Sequence, residues 1–184
     1  MNTAYSADRW QGRTGTGAQT ISRQATNDTT NLPNIQYCAR VGRNSGNTGT
    51  GIILFEQSME TINSIPYVGK AVAFSFYARA GANFSGASNI LNAAVVTGTG
   101  TDQNVVSYTG GANTILNFAT LTTTWQRFTY TGTIPTTTNE IAIQFNYTPT
   151  GTAGAADYVE ITGVQLEVGS TATPFSRSEE HTSE

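Results

Sequence analysis

The segment from residue 158 to residue 175 constrains the fold of this chain more than any other part of its sequence. Apolar and polar residues alternate in it, as they do in a strand with one buried face. The apolar residues predicted to point inward are Val159, Ile161, Val164, Leu166 and Val168. Gly163 interrupts this alternation and permits a β-bulge that shifts the register. The predicted strand ends where Gly169 and Pro174 cannot continue a ladder.

Segments rich in β-branched and aromatic residues recur along the whole chain between clusters of Gly, Asn, Pro and Ser. Before the closing strand, the predicted strands cover residues 7–10, 18–24, 35–41, 52–57, 71–80, 90–97, 125–133 and 140–148. Predicted turns and loops cover residues 12–17, 42–51, 98–114 and 149–156, and residues 59–68 hold one short helical turn before Pro66. About eight to ten strands suit two packed antiparallel sheets. We therefore predict an all-β fold, a single antiparallel β-sandwich of the jelly-roll type over residues 1–176.

The clearest predicted strand runs from residue 71 to residue 80. Phe74 and Phe76 point to one face of it, which we expect to be the core, while Tyr77 and Arg79 point to the other. Residues 52–57 form an unbroken apolar run followed by two polar residues, which indicates a strand covered on both faces.

The composition argues against several classes of function. Charged residues make up only 11 % of the chain and form no basic cluster, so we expect no nucleic-acid binding. No apolar run approaches the roughly 20 residues that span a bilayer, and the amino terminus has no basic start or apolar stretch, so we expect a soluble protein without membrane insertion or an export signal. Cys38 is the only cysteine, which predicts a buried thiol and no internal disulfide.

The last eight residues, 177–184, match the translation of a common sequencing adapter at every position. We interpret them as a non-native tail to be set aside before fold reasoning; the alternative is a natural charged tail. The tail contains His181, the only histidine, together with one arginine and three glutamates. Without it, nine basic and twelve acidic residues become eight and nine, and the formal charge changes from −3 to −1.

Catalysis is not expected from the residue types present. A serine or cysteine nucleophile usually needs an imidazole as its base, and the chain has none before residue 177. A histidine-ligated zinc site is not expected for the same reason, and one cysteine cannot supply the several thiolates of a cysteine-ligated zinc site. A glycosidase needs only two carboxyl groups, but no pairing is recognisable among Asp8, Glu56, Glu60, Asp102, Glu140, Asp157, Glu160 and Glu167.

Five segments of the chain occur in an order that is similar to one known family. They are residues 7–10, 69–80, 124–128 and 131–135 and the closing strand. Together they resemble carbohydrate-binding-module-like jelly rolls in tail and fibre proteins of bacteriophages. Members often carry a polar pair such as Asp-Asn before the final Val-Gln-Leu, where this chain has Thr162 and Gly163. The resemblance implies that a structural calcium could use Asp8 or Asp157, but no acidic loop is clustered, so we assign no metal residue and no cofactor.

The candidate ligand-binding residues are Tyr77, Arg79, Gln144 and Asn146. Sugar binding needs an exposed aromatic face beside polar side chains on a rigid platform. Tyr77 and Arg79 leave the face opposite the phenylalanines, and Gln144 and Asn146 leave the equivalent face of another strand. The alternative is ordinary packing, with Tyr77 under a loop and Arg79 capping carbonyls. Trp10 and Trp125 are interpreted as core or edge-covering anchors.

From the resemblance we expect a non-catalytic domain of a phage virion appendage, similar to a tail fibre, that binds a host-surface glycan or another virion protein. It would be located in the virion and could form a homotrimer. One alternative is a purely structural virion or decoration module, in which a neighbouring chain buries the face of Tyr77 and Arg79. Another is the accessory carbohydrate-binding domain of a polysaccharide-degrading enzyme.

Overall fold

A computed structural model of the chain describes residues 2–5, 10–15, 19–32 and 34–176. Within these ranges the strands are β1 (Asn2–Tyr5), β2 (Trp10–Thr14), β3 (Gln19–Ala25), β4 (Tyr37–Arg43), β5 (Ile53–Ser58), β6 (Ala71–Ala80), β7 (Ile90–Gly98), β8 (Ala112–Thr120), β9 (Gln126–Thr133), β10 (Glu140–Tyr147) and β11 (Tyr158–Val168). The predicted helical turn is present as α1 (Thr61–Ser64), which continues into a 3₁₀ turn over Ile65–Tyr67. No helix in the described ranges is long and apolar enough to cross a bilayer.

The strands form two sheets that pack face to face. The six-stranded sheet has the order β1-β2-β5-β10-β7-β8, and the five-stranded sheet has the order β3-β4-β11-β6-β9. All neighbouring strands in both sheets are antiparallel. The predicted all-β fold, an antiparallel β-sandwich of the jelly-roll type, is confirmed.

Aromatic rings fill the centre of the sandwich. Phe74 and Phe76 of β6 and Phe145 of β10 are fully buried, and the ring centroids of Phe76 and Phe145 lie 4.8 Å apart, edge to face across the two sheets. The predicted core face of β6 is therefore confirmed. The predicted two-sided burial of β5 is confirmed as well, because Ile53, Leu54, Phe55 and Glu56 are all buried.

The closing strand β11 lies in the middle of the five-stranded sheet, between β4 and β6. Its register shifts between Thr162 and Gln165, and Gly163 has a φ of +57°, so the predicted bulge is present at the residue that tolerates this backbone conformation. Val168 is an exception to the predicted inward face. It pairs with Val72 but is 55 % exposed, because it is the last residue of the strand and lies at the end of the sandwich.

Other departures from the predicted elements have physical causes. Residues 7–9 lie outside the described ranges, and the predicted turn at residues 12–17 begins too early because Gly12 belongs to β2. A Cβ at Gly12 would lie 2.1 Å from Cδ1 of Ile21, so this glycine permits close packing between strands. The sequence analysis missed β1 and β8. The first three residues of β8 were predicted as a loop, and Ile115, Leu116 and Phe118 give both of its faces apolar residues, which hides the alternation.

Candidate functional site

Tyr77 and Arg79 lie on the outer face of the five-stranded sheet, as predicted, but both contact other residues of the domain. Tyr77 is half-buried against a small cluster that includes Leu32 and Trp125. Arg79 donates from Nε to Oε2 of Glu160 at 2.5 Å, and its guanidinium lies 4.9 Å from the centroid of the Trp125 ring. Tyr77 therefore packs under the 26–36 loop, as the packing alternative anticipates, whereas Arg79 pairs with a carboxylate and not with carbonyls.

Gln144 and Asn146 lie on the outer face of the six-stranded sheet, because Phe145 between them and Ile143 before them point into the core. The two predicted pairs are thus on opposite sides of the sandwich, whose sheets in folds of this kind stack about 10 Å apart. They cannot form one surface. Sheet order, which no local pattern encodes, decides this separation.

A buried carboxylate organises the outer face of the six-stranded sheet. Glu56 of β5 is fully buried and accepts hydrogen bonds from two neighbouring strands. Its Oε1 accepts from Nε2 of Gln11 at 2.8 Å and from Nε of Arg13, and its Oε2 accepts from Nη2 of Arg13 at 3.1 Å and Nε2 of Gln144 at 2.8 Å. A buried charge needs this kind of pairing and hydrogen bonding to be tolerated.

Glu56 also fixes the direction of a row of amides. An ionised carboxylate only accepts, so Gln144 must turn its NH₂ group toward Glu56 and its carbonyl away. Nδ2 of Asn146 then donates to Oε1 of Gln144 at 3.5 Å, and Nδ2 of Asn92 donates to Oδ1 of Asn146 at 2.8 Å. The row ends with the carbonyl of Asn92, a preoriented hydrogen-bond acceptor.

The edge strand β8 places two apolar side chains beside this row. Phe118 is the register partner of Asn92, and Leu116 is the partner of Ala94. Phe118 is 62 % exposed and Leu116 43 % exposed, and no aromatic ring within residues 10–15, 19–32 and 34–176 is more exposed than Phe118. We call the surface formed by Asn92, Leu116, Phe118, Gln144 and Asn146 the amide face.

The 99–111 segment covers the neighbouring part of the same sheet. Val105 and Tyr108 pack on the cluster of Ala94, Val96 and Ala142. The segment is also tied down by a hydrogen bond from Nε2 of Gln11 to Oδ1 of Asn104 at 2.9 Å, which is returned from Nδ2 of Asn104 to Oε1 of Gln11 at 3.1 Å. The segment thus forms a wall next to the amide face, which gives the surface a defined edge.

Apart from the amide face, a concave region opens between the two sheets where β2 and β5 face β3, β4 and β11. This inter-sheet cleft has a volume of about 500 Å³ and largely apolar walls, including Ile21 and Ala39. The Trp10 ring on one wall stacks on Phe55 with a centroid distance of 4.5 Å. Sequence reasoning treated Trp10 only as an anchor.

Asp157, named in the sequence analysis as a possible calcium ligand, does not fit a calcium site. The carboxylate is fully buried. Its Oδ2 accepts a hydrogen bond from Nε of Arg43 at 2.8 Å, and its Oδ1 accepts hydrogen bonds from N and Oγ of Ser85, each at 2.9 Å. Arg43 also donates to the carbonyls of Gly49 at 2.6 Å and Gly151 at 3.0 Å. A guanidinium therefore holds the oxygens that a cation would need. Asp8, the other residue named, lies outside the described ranges.

The carboxylates of the described ranges form no recognisable metal site. No group of three or more His, Cys, Asp or Glu residues there is placed to hold a metal ion. Glu56, Asp157 and Glu160 are buried and each is paired with arginine. These three carboxylates are therefore engaged in ion pairs within the fold.

No protein-family model and no curated protein sequence matches the chain. Several solved structures match its fold. The enzymatically active domain of tailspike protein 4 of bacteriophage CBA120 superposes with a TM-score of 0.59 at 14 % identity over 88 % of this chain, which spans 19 % of that chain. A CBM4 structure gives a TM-score of 0.57 at 19 % identity over 89 % of this chain and 90 % of that one. The CBM22-1 xylan-binding domain from Paenibacillus barcinonensis gives 0.53 at 12 % identity, covering 90 % and 89 %. At these identities the similarity shows a shared fold, that of carbohydrate-binding-module jelly rolls.

Proposed function

We propose that this domain is a non-catalytic glycan-binding module and that the amide face is its binding surface. The observation that carries the proposal is the exposed Phe118 ring beside a row of amides whose direction is fixed by Glu56. A ring of this kind can stack on the apolar face of a sugar, and oriented amides can exchange hydrogen bonds with its hydroxyls. The fold that the chain shares with carbohydrate-binding modules supports the same proposal.

We further propose that the module belongs to a phage virion appendage that attaches to a host-surface glycan. The sequence resemblance to tail and fibre proteins and the structural match to a phage tailspike domain support this role. The module would then act in the virion, where homotrimer formation is one expectation and contact with other virion proteins another.

The second candidate is an accessory carbohydrate-binding domain of a polysaccharide-degrading enzyme. The structural matches to CBM4 and CBM22 domains favour it, as does a match to an arabinose-bound α-L-arabinofuranosidase at a TM-score of 0.51, of which the chain spans 24 %. The third candidate is a purely structural module. Binding to intact bacterial cells would favour the phage role, binding only to isolated plant-type polysaccharides the accessory role, and binding to neither the structural role.

The binding surface is tested with Phe118→Ala on a glycan array and on bacterial cells. Loss of an aromatic ring from the centre of a binding surface typically costs more than 1 kcal/mol, so we expect binding to weaken about tenfold or more. Val168→Ala is the matched control, because Val168 is 55 % exposed and belongs to the other sheet. If Phe118→Ala and Asn92→Ala both bind glycans as the parent protein does, the amide face is not the site, and the inter-sheet cleft becomes the surface to test.

A further inference from the structure

Three charged residues on the outer face of the five-stranded sheet form a cluster with a net positive charge. Arg40 of β4, Glu160 of β11 and Arg79 of β6 are register partners in one row across three adjacent strands. Arg40 donates from Nε at 2.8 Å and from Nη2 at 2.5 Å to Oε1 of Glu160, and Arg79 donates from Nε at 2.5 Å to Oε2. Two guanidinium groups share one carboxylate, which leaves a net charge of +1. We call these three residues the arginine patch.

Half of the guanidinium nitrogens in the arginine patch remain available. Glu160 engages Nε and Nη2 of Arg40 and Nε of Arg79, and the described residues provide no hydrogen-bond partner for Nη1 of Arg40 or for either Nη of Arg79. The side chain of Glu160 is fully buried, whereas those of Arg40 and Arg79 are 33 % and 25 % exposed. The carboxylate is therefore hidden, and the unused donors belong to the two partly exposed arginines.

Aromatic rings support both guanidinium groups. Arg40 lies 3.9 Å from the centroid of the Tyr158 ring, and Arg79 lies 4.9 Å from that of Trp125. Stacking on a ring and pairing with Glu160 restrict the rotation of both side chains, so little further order is lost when a ligand binds. Planar donors held in this way match the oxygens of a carboxylate or a sulfate.

The nearest acidic side chain on the covering loop, Asp28, makes no direct ion pair with the patch among the described residues. Asp28 lies close enough for Arg79 to contribute to lowering its pKa, but the main causes are hydrogen bonds from Asn31. Its Oδ1 accepts from the backbone N of Asn31 at 2.8 Å and of Thr30 at 3.0 Å, and its Oδ2 accepts from Nδ2 of Asn31 at 2.8 Å. No ion pair within 4.0 Å joins Asp28 to Arg79 among the described residues. Asp28 caps its own turn.

We propose that the arginine patch binds the anionic group of an acidic sugar, either a carboxylate or a sulfate ester, and forms a second site on the side of the sandwich opposite the amide face. The anion site rests on the charges and free donors of Arg40 and Arg79 alone. Only the choice of a sugar as the carrier of the anion rests on the proposed function. The domain then has one face for neutral hydroxyl groups and another for acidic ones.

The test is a titration of ¹⁵N-labelled full-length protein with D-glucuronate, D-glucose 6-sulfate or D-glucose at constant ionic strength, followed by the Nε–Hε signals of its eight arginines. We expect the Arg40 and Arg79 signals to shift saturably with one or both acidic sugars and not with glucose, and the two acidic sugars distinguish a carboxylate from a sulfate site. Equal responses to acidic sugars and glucose, or none to any of them, would overturn the proposal.

Substitutions then locate the site. Arg40→Gln and Arg79→Gln should each weaken acidic-sugar binding at least tenfold, because each removes one of two cations that contact the anion. Arg23→Gln is the control, since Arg23 is an exposed arginine that likewise lies over an aromatic ring, 3.6 Å from the centroid of Tyr37. An unchanged affinity in Arg40→Gln and Arg79→Gln would overturn the proposal. Binding of neutral glycans should be unaffected by these changes and weakened in Phe118→Ala, so the two sites can fail independently.

Discussion

Replacing Arg43 by methionine should destabilise the domain strongly. Arg43 and Asp157 form an ion pair in which both side chains are almost completely buried, with 2 % and 0 % exposure and 2.8 Å between Nη2 and Oδ2. The same guanidinium bonds the carbonyls of Gly49 and Gly151, so it joins two loops to the end of β4. Methionine keeps much of the volume of the side chain but removes every one of these donors.

The expected loss is about 3 to 5 kcal/mol of unfolding free energy, the usual cost of leaving one member of a buried ion pair without its partner. Hydrogen bonds from Ser85 would remain on Asp157, which is why we do not expect a larger effect. Asp157→Asn in the Arg43→Met background removes the stranded charge, so the double variant should lose less than the sum of the two single variants.

Urea unfolding followed by tryptophan fluorescence at pH 7 measures the effect. Arg23→Met is the matched control, because Arg23 is exposed and its described contact is with the Tyr37 ring, so its loss should cost less than about 1 kcal/mol. A value for Arg43→Met within 1 kcal/mol of the parent protein would refute the reasoning, as would strict additivity in the double variant.

Four further predictions concern the core, the thiol, metal removal and the tail. Phe76→Ala should cost about 3 to 5 kcal/mol of unfolding free energy, whereas Phe118→Ala should cost well under 1 kcal/mol, and similar urea midpoints would contradict the assigned faces. Burial, helped by the Glu160 carboxylate, raises the pKa of Cys38 to about 12, so iodoacetamide at pH 8 should label it only after unfolding; rapid labelling of the native protein would disprove this. Because Arg43 holds the oxygens of Asp157, EDTA should leave the melting temperature unchanged, and a clear decrease would show that a metal supports the fold. Truncation after residue 176 should also leave the melting temperature unchanged, and a loss of several degrees would contradict a non-native tail.

The sequence predicts individual strands better than it predicts their neighbours. The bounds of β6 could be read directly because Phe74 and Phe76 alternate with polar or small residues, and the bulge of β11 could be read because Gly163 interrupts an otherwise regular pattern. In contrast, β8 was missed because Leu116 and Phe118 make its solvent-facing side apolar. Its sequence therefore has neither the alternation of a half-buried strand nor the polar composition of a loop.

The candidate surfaces show the same limit. Gln144 and Asn146 were correctly predicted to leave the face opposite the core. Which side chains lie beside them depends on which strands are neighbours in the sheet. The residues that complete the amide face, Asn92 of β7 with Leu116 and Phe118 of β8, meet the predicted pair through register alone. Likewise, Glu56 gives no local sign in the sequence that it organises hydrogen bonds from two adjacent strands.

The position of β11 determines the order in which the domain can be completed during synthesis. In the five-stranded sheet, β3 pairs with β4 and β6 pairs with β9, and these two pairs are joined through β11, which follows all four strands in the chain. Until residues 158–168 emerge, the inner edges of β4 and β6 have no partner and the core face of this sheet is divided. Folding of the sandwich is therefore expected to follow synthesis of β11, and nascent chains that stop before residue 158 should be open to proteolysis and to association through unpaired edges.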